Sequence, residues 1–397
     1  MTTMLASARR RLLPLLMFLM SAACGDDSSG TGNQDNGTPM NGATGTPGGV
    51  PGFLRAQGAQ LVDHQGQVVR LTGVNWFGLE TEIRRPGGLQ LRSMDSILDQ
   101  VVTLGFNSLR VPFSTQALEA GATPQGIDYA LNPDLMNRSP LEILDVLVQK
   151  AGARGLKVVL DRHRIVATGQ SALWYNDQYP ESRWIEDWVR LAERYKNDPT
   201  VIGVDLHNEP HDPATWGDDN QATDWRLAAE RAGEAILAVN PNLLIIVEGV
   251  RSFMGQYYWD GGNLRGARDF PVRLSKPEQR VYSTHDYPAS LYAQPWFSAP
   301  NYPANLAEVW RQNWGYLVEE NLAPVWVGEF GTRYLTPQDQ QWMGQLATYI
   351  QSKQLSFAFW CLNPESGDTG GILQDDWQSV QTQKMAVLTP LLAPLIP

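Results

Sequence analysis

Val201-Ile202-Gly203-Val204-Asp205-Leu206-His207-Asn208-Glu209-Pro210 opens as an apolar run and closes on a polar cluster stopped by proline. A short apolar run of this kind reads as a strand covered on both faces, the arrangement found where helices flank a parallel sheet. Downstream, 224–239 carries helical periodicity. Working outward in both directions, the same unit of apolar run, polar or aromatic end, loop and amphipathic helix recurs. The runs are Leu71–Trp76, Phe106–Pro112, Leu156–Asp161, Val201–Asn208, Leu243–Val247, Arg280–His285, Pro324–Glu329 and Ser356–Trp360. Helical stretches between them include 140–154, 183–195, 224–239, 304–320 and 338–352. Eight such units predict a closed (β/α)₈ TIM barrel rather than an open doubly wound sheet. No Gly-rich fingerprint follows the first run, which speaks against dinucleotide binding. Residues 54–71, with turns at Gln57-Gly58 and His64-Gln65-Gly66, predict a short N-terminal β-hairpin ahead of the barrel.

The chain has 397 residues, 43% of them hydrophobic, with 14 Trp, enough for one large core. Indole faces suit flat, hydroxyl-rich rings, although packing alone accounts for most Trp in proteins. At the N-terminus, Arg9, Arg10 and Arg11 precede the apolar stretch 12–20 and the small residues Ser21-Ala22-Ala23. This is the form of an export signal over residues 1–23, too short to span a bilayer as a helix. Small residues directly before Cys24 also resemble a bacterial lipobox, so a lipid anchor on Cys24 is expected alongside plain secretion as the alternative. Residues 24–52 are rich in Gly, Thr and Asn and form an expected flexible linker with a span on the order of 30 Å; residues 53–397 form the folded body. Removing residues 1–23 takes away three arginines and no acid, moving the net charge from −11 to −14. An acidic chain excludes nucleic acid and anionic membrane surfaces as expected partners. Cys361 is the other cysteine, and with Cys24 spent on processing no intrachain disulfide is expected.

A barrel of this type carries its active site at the C-terminal ends of the strands. Those positions collect Trp76, Arg110, Asp161 with His163, Asn208 with Glu209, His285 with Tyr287, Glu329 and Trp360. Taken singly, Arg110 reads equally well as a barrel ion pair, either histidine as a satisfied core residue, and the indoles as packing. Together on one face they form a set suited to glycoside hydrolysis, in which one carboxyl protonates the leaving oxygen and another stabilises or attacks the anomeric carbon. Glu209 and Glu329 lie 120 residues apart, so only the barrel can bring them together. A pair acting with retention is expected ~5–5.5 Å apart; an inverting pair is wider. No metal-ligand spacing of Cys or His is present, and no Gly-x-Ser-x-Gly elbow points to an esterase.

The stretches Gly73-Val74-Asn75-Trp76-Phe77-Gly78, Asp161-Arg162-His163-Arg164, Asn208-Glu209-Pro210, Glu329-Phe330-Gly331 and Ser366-Gly367-Asp368-Thr369-Gly370-Gly371 resemble clan A glycoside hydrolases of family 5, in particular bacterial endo-β-1,4-glucanases. The similarity runs from about residue 54 to the C-terminus. It implies Glu209 as acid/base and Glu329 as nucleophile of a retaining reaction. Arg110, His163, Asn208, His285 and Tyr287 would complete the active-site set, and Trp76, Trp360, Trp259 and Asp368 would bind sugar. It implies no cofactor and no metal, a β-glucan polysaccharide as partner, and a monomer. Asp260 stands where relatives carry a second Trp after Trp259, and Leu362 where a Trp is expected, which implies weaker subsites there. Cleavage of β-mannan or xyloglucan by the same machinery remains an alternative, as does, in another class, a catalytically silent glycan-binding protein.

Overall fold

The computed structural model describes residues 48–397. The export-signal, lipidation and most of the linker expectations fall outside these residues. Eight parallel strands close into a barrel: β1 (Thr72–Asn75), β2 (Ser108–Ser114), β3 (Lys157–Arg164), β4 (Val201–Asp205), β5 (Leu244–Glu248), β6 (Arg280–Asp286), β7 (Val325–Phe330) and β8 (Ser356–Phe359). Each strand pairs with its successor and β8 closes on β1. The predicted barrel is therefore the observed one. Among the described residues no helix is long and apolar enough to cross a membrane.

The expected hairpin is present and extended by a strand. Arg55–Gln57, Gln60–Val62 and Val68–Val69 form a three-stranded antiparallel sheet. Leu54 and Leu61 from this segment pack with Leu71, Val159, Ile202, Leu244, Ile246, Val281, Trp326, Ala358 and Ile396. This cluster belongs to the apolar half of the barrel interior, and the N-terminal sheet and the C-terminal Ile396 both contribute to it.

The tryptophans mostly serve the outer layer. Ten of them are among the largest fully buried side chains, and several also hold strand ends by hydrogen bonds. Trp184 and Trp188, on helix Glu181–Arg194, both donate their indole N–H to the carbonyl of Leu206 just past β4, at 2.9 and 3.1 Å. Trp225, opening helix Trp225–Val239, donates to the carbonyl of Glu248 at the end of β5, at 2.9 Å. Buried carbonyls that a ladder no longer serves are thereby satisfied, and the ends of the two strands are anchored where the site begins.

Candidate active site

Arg110, on β2 and fully buried, organises the mouth of the barrel. Its Nε donates to Asp205 Oδ2 at 2.9 Å. Nη1 donates to Asn75 Oδ1 at 3.0 Å and to Glu329 Oε1. Nη2 donates to Asn208 Oδ1 at 2.9 Å and to Glu248 Oε1 at 3.0 Å, and lies 3.2 Å from Asp161 Oδ2. One fixed fork thus orients groups from five other strand ends. Burial works against the charged guanidinium, but Asp161, Asp205, Glu329 and Glu248 outweigh it and hold its pKa well above the ordinary value. Burial raises the pKa values of Asp161, Asp205 and Glu248, the last two to about 7.

His285 reaches the site through an irregularity in register. Along the β6–β7 pairing Thr284 is level with Val327, but His285 is level with Glu329; such a bulge re-aims a side chain at a barrel rim. Its Nδ1 lies 3.0 Å from Glu209 Oε1 and 3.6 Å from Glu329 Oε2, and its Nε2 lies 3.3 Å from Glu248 Oε1. Burial disfavours the imidazolium, yet Glu248, Glu329 and Glu209 overcome that and raise its pKa well above the usual histidine range. His163 behaves oppositely. Burial lowers its pKa, so the neutral ring sits 2.6 Å from Asp161 through Nδ1 and stacks on Trp360 with ring centres 5.4 Å apart.

The two glutamates meet across the barrel. One oxygen of each carboxylate and a ring nitrogen of His285 lie within 4.8 Å of one another. Their surroundings differ. The Glu209 side chain is 19% exposed; burial, joined by the charges of Glu329 and Asp260, pushes its pKa up to about 7 against the opposing His285 contact. For Glu329 burial also favours the neutral acid, but His285, Arg110, His163 and the Tyr287 hydroxyl together hold it below the ordinary value. Tyr287 donates to Glu329 Oε2 at 2.7 Å. Asn208 spends its side-chain oxygen on Arg110, leaving its buried Nδ2 without a hydrogen-bond partner among the described residues. Gly331 is required by close approach, since a Cβ there would meet the Trp360 carbonyl oxygen at 1.9 Å.

A cleft of about 830 Å³ opens over this centre, larger than one sugar ring needs and at the upper end of ligand-site sizes. Glu209, Glu329, His163, Tyr287, Trp360, Trp259 and Asp368 all line it, as expected. Trp76 does not. Its side chain is 0% exposed and its indole N–H donates to the Gly87 carbonyl at 3.1 Å, so it cannot offer a face to a sugar. Its neighbour Phe77 lines the cleft instead and stacks on Trp360. Asp368 Oδ1 accepts from Ser366 Oγ and from its neighbour's backbone at Thr369, both at 2.8 Å, so it both shapes its turn and faces the cleft. Trp259 sets its ring edge-on to Tyr287, and its indole nitrogen is free of partners among the described residues. Asp260 is paired in bidentate fashion with Arg251 in the wall of the cleft, so a charged pair occupies this stretch of wall. Leu362 is fully buried.

Sequence reading missed Asn75, Asp205 and Glu248. Each is buried at a strand end with its partner far away in the chain. The fifth apolar run, Leu243–Val247, stops one residue short of Glu248. Groupings of carboxylate and imidazole atoms close enough to hold a cation do occur, at Asp161/His163/Glu329, Glu209/His285/Glu329 and Asp161/Asp205/Glu248. Arg110 already touches members of each, and in the last it contacts all three carboxylates.

A parallel eight-stranded barrel with paired glutamates at the C-terminal strand ends is the architecture of a barrel glycoside hydrolase. The family model for cellulases of glycosyl hydrolase family 5 matches residues 62–366. An endoglucanase of Paenibacillus polymyxa is 51% identical over 353 residues, covering 87% of this chain and 89% of that protein. The major extracellular endoglucanase of Xanthomonas campestris pv. campestris is 41% identical, covering 84% of this chain and 69% of that protein. The solved catalytic domain of the major Xanthomonas endoglucanase superposes with a TM-score of 0.82 at 39% identity, covering 85% of this chain and 99% of that one. An endocellulase from Pyrococcus horikoshii in complex with cellotetraose gives 0.82 at 38% identity, covering 87% and 100%. The chain belongs to glycosyl hydrolase family 5 and is a glycoside hydrolase of the cellulase type.

Proposed function

We propose that this protein is an exported, retaining endo-β-1,4-glucanase acting on internal bonds of cellulose or related β-glucans. The observation that carries this reading is the short gap between two carboxylates in opposite environments. Oxygens within 4.8 Å suit the ~5–5.5 Å carboxyl spacing of a retaining pair better than the ~6.5–9.5 Å of an inverting one. Glu329, held ionised by its cationic neighbours and Tyr287, attacks the anomeric carbon. Glu209, kept protonated by burial, gives its proton to the departing glycosidic oxygen. The resulting Glu209 carboxylate then takes a proton from water, which displaces Glu329 and restores both groups. Asn208 Nδ2 is free to donate to the sugar 2-hydroxyl, and Trp360 offers an indole surface to the ring beside the nucleophile.

Glucan as substrate is supported by the 51% identical endoglucanase and by the cellotetraose complex of the Pyrococcus enzyme. Export is supported by the signal-like N-terminus and by the Xanthomonas relative's description as extracellular. Side-by-side rates on carboxymethylcellulose, glucomannan and xyloglucan should favour carboxymethylcellulose; negligible cleavage of it would transfer the assignment to mannan or xyloglucan. With an aryl cellobioside bearing a good leaving group, Glu209→Ala should keep its first step and form a β-glycosyl azide when azide is added. Glu329→Gln should lose turnover on the order of 10⁴-fold or more while still binding cello-oligosaccharides. An α-configured azide product would overturn the roles given to the pair.

A further inference from the structure

Glu209 is held in a left-handed backbone conformation, with φ of 53°. For a non-glycine residue this costs on the order of 1–3 kcal/mol and persists only where the surroundings over-determine it. Pro210 adds to the demand, because a residue before proline is steered toward extended conformations. Glu248 supplies the hold. Its Oε2 accepts the backbone N–H of Glu209 at 2.7 Å. Its Oε1 accepts from Arg110 Nη2 at 3.0 Å and lies 3.3 Å from His285 Nε2. The side chain is wholly buried, and its own main-chain carbonyl accepts from the Trp225 indole. A space is kept for it: Gly261 has φ of 68°, and a Cβ there would stand 2.2 Å from Glu248 Oε2 and 3.2 Å from Glu209 Cα.

We infer that Glu248 is the positioning residue for Glu209, fixing that backbone turn and the adjacent His285 ring so that the Glu209 carboxyl points at the leaving oxygen. Glu248 does not line the substrate cleft and acts through its neighbours. The same carboxylate ties Glu209 to Arg110, and Arg110 holds Glu329, so the relative placement of the reacting pair runs through a buried side chain that touches neither sugar. This inference rests on the assignment of Glu209 as the acid.

The test exploits leaving-group dependence. Cleavage of a cello-oligosaccharide needs acid assistance in its first step, whereas release of dinitrophenolate from a dinitrophenyl cellobioside does not. Glu248→Gln keeps an acceptor near the Glu209 amide but weakens the hold on that amide and on the His285 ring, while Arg110 stays fixed by Asp161, Asp205 and Glu329. It should lower kcat/KM on cellotetraose by roughly 30-fold or more, a part of the roughly 10²–10⁴-fold that general acid catalysis supplies, yet change the dinitrophenyl value less than about 3-fold. Glu209→Gln, measured in parallel, should show the same split with a larger loss. If Glu209→Gln shows no split, the assignment of the acid falls. If Glu209→Gln shows it and Glu248→Gln loses both rates equally or neither, only the positioning role falls. Glu248→Asp, which keeps the charge but draws it back from the Glu209 amide, should reproduce the split, and it decides the matter should Glu248→Gln fail to fold.

Discussion

At the scale of single residues, the division of labour proposed for Glu209 and Glu329 rests on what each carboxyl faces. Glu209 sits at the edge of the cleft with its pKa pushed up to about 7, burial being the main cause. Glu329 is ringed by His285, Arg110, His163 and Tyr287 and titrates below its ordinary value. The acid must be protonated, so activity is lost as pH rises through about 7; the nucleophile must be ionised, so activity is lost as pH falls below the usual carboxylate range. A bell-shaped kcat/KM profile follows. In Glu209→Gln with a dinitrophenyl cellobioside, the alkaline limb should vanish while the acid limb remains. An alkaline limb that persists in that variant would belong to another group and would sink the assignment. Both glutamates were legible in the sequence because each closes an apolar run, where a lone carboxylate is costly. Glu248 ends such a run too, but its partners Arg110 and His285 lie 138 and 37 residues away in the chain, and nothing local signals them. Trp76 misled for a related reason. At the end of a strand one step in sequence reverses the side chain's direction, so Phe77 faces the cleft and Trp76 the core.

At the scale of elements, the apolar period made the eight strands readable to within a few residues. Their irregularities were not readable. The register shift that aims His285 at Glu329 has no composition of its own, and it follows from packing β6 against β7. The helices contribute more than a hydrophobic face. Because Trp184 and Trp188 share one acceptor, the carbonyl of Leu206, replacing either by Phe leaves that buried oxygen with a partner and should cost only about 1 kcal/mol. Replacing both orphans it, so the double variant should lose more than the two single losses combined, by roughly 1–2 kcal/mol. Unfolding in denaturant for the wild type, both single variants and the double variant completes the cycle. Simple additivity would mean that the indoles merely fill space. The abundance of Trp, which suggested sugar platforms, is thus largely a matter of core volume and strand-end hydrogen bonding, with Trp360 and Trp259 left for the cleft.

At the scale of the whole molecule, the barrel separates chemistry from closure. One half of the interior is the charged network around Arg110; the other is an apolar plug made by Val159, Ile202, Leu244, Ile246, Val281 and Trp326 and completed by Leu54, Leu61 and Ile396. Segments near both ends of the described chain therefore stabilise the barrel, while the proposed reacting groups stand at its opposite mouth. Leu61 is 4% exposed. Leu61→Ala should cost about 2–3 kcal/mol, from lost apolar transfer and the cavity left under the sheet. That corresponds to a fall in Tm of roughly 4–12 °C for a domain somewhat smaller than this one, and to less here. Because large proteins often unfold irreversibly, the comparison is made at several scan rates. At 25 °C the same variant should keep kcat/KM on cello-oligosaccharides within about twofold, since the hydrogen bonds of the Arg110 guanidinium end on strand-end side chains and none on a plug residue. A loss of activity without a fall in Tm would show that the plug transmits strain to the mouth of the barrel, and the separation argued here would fail.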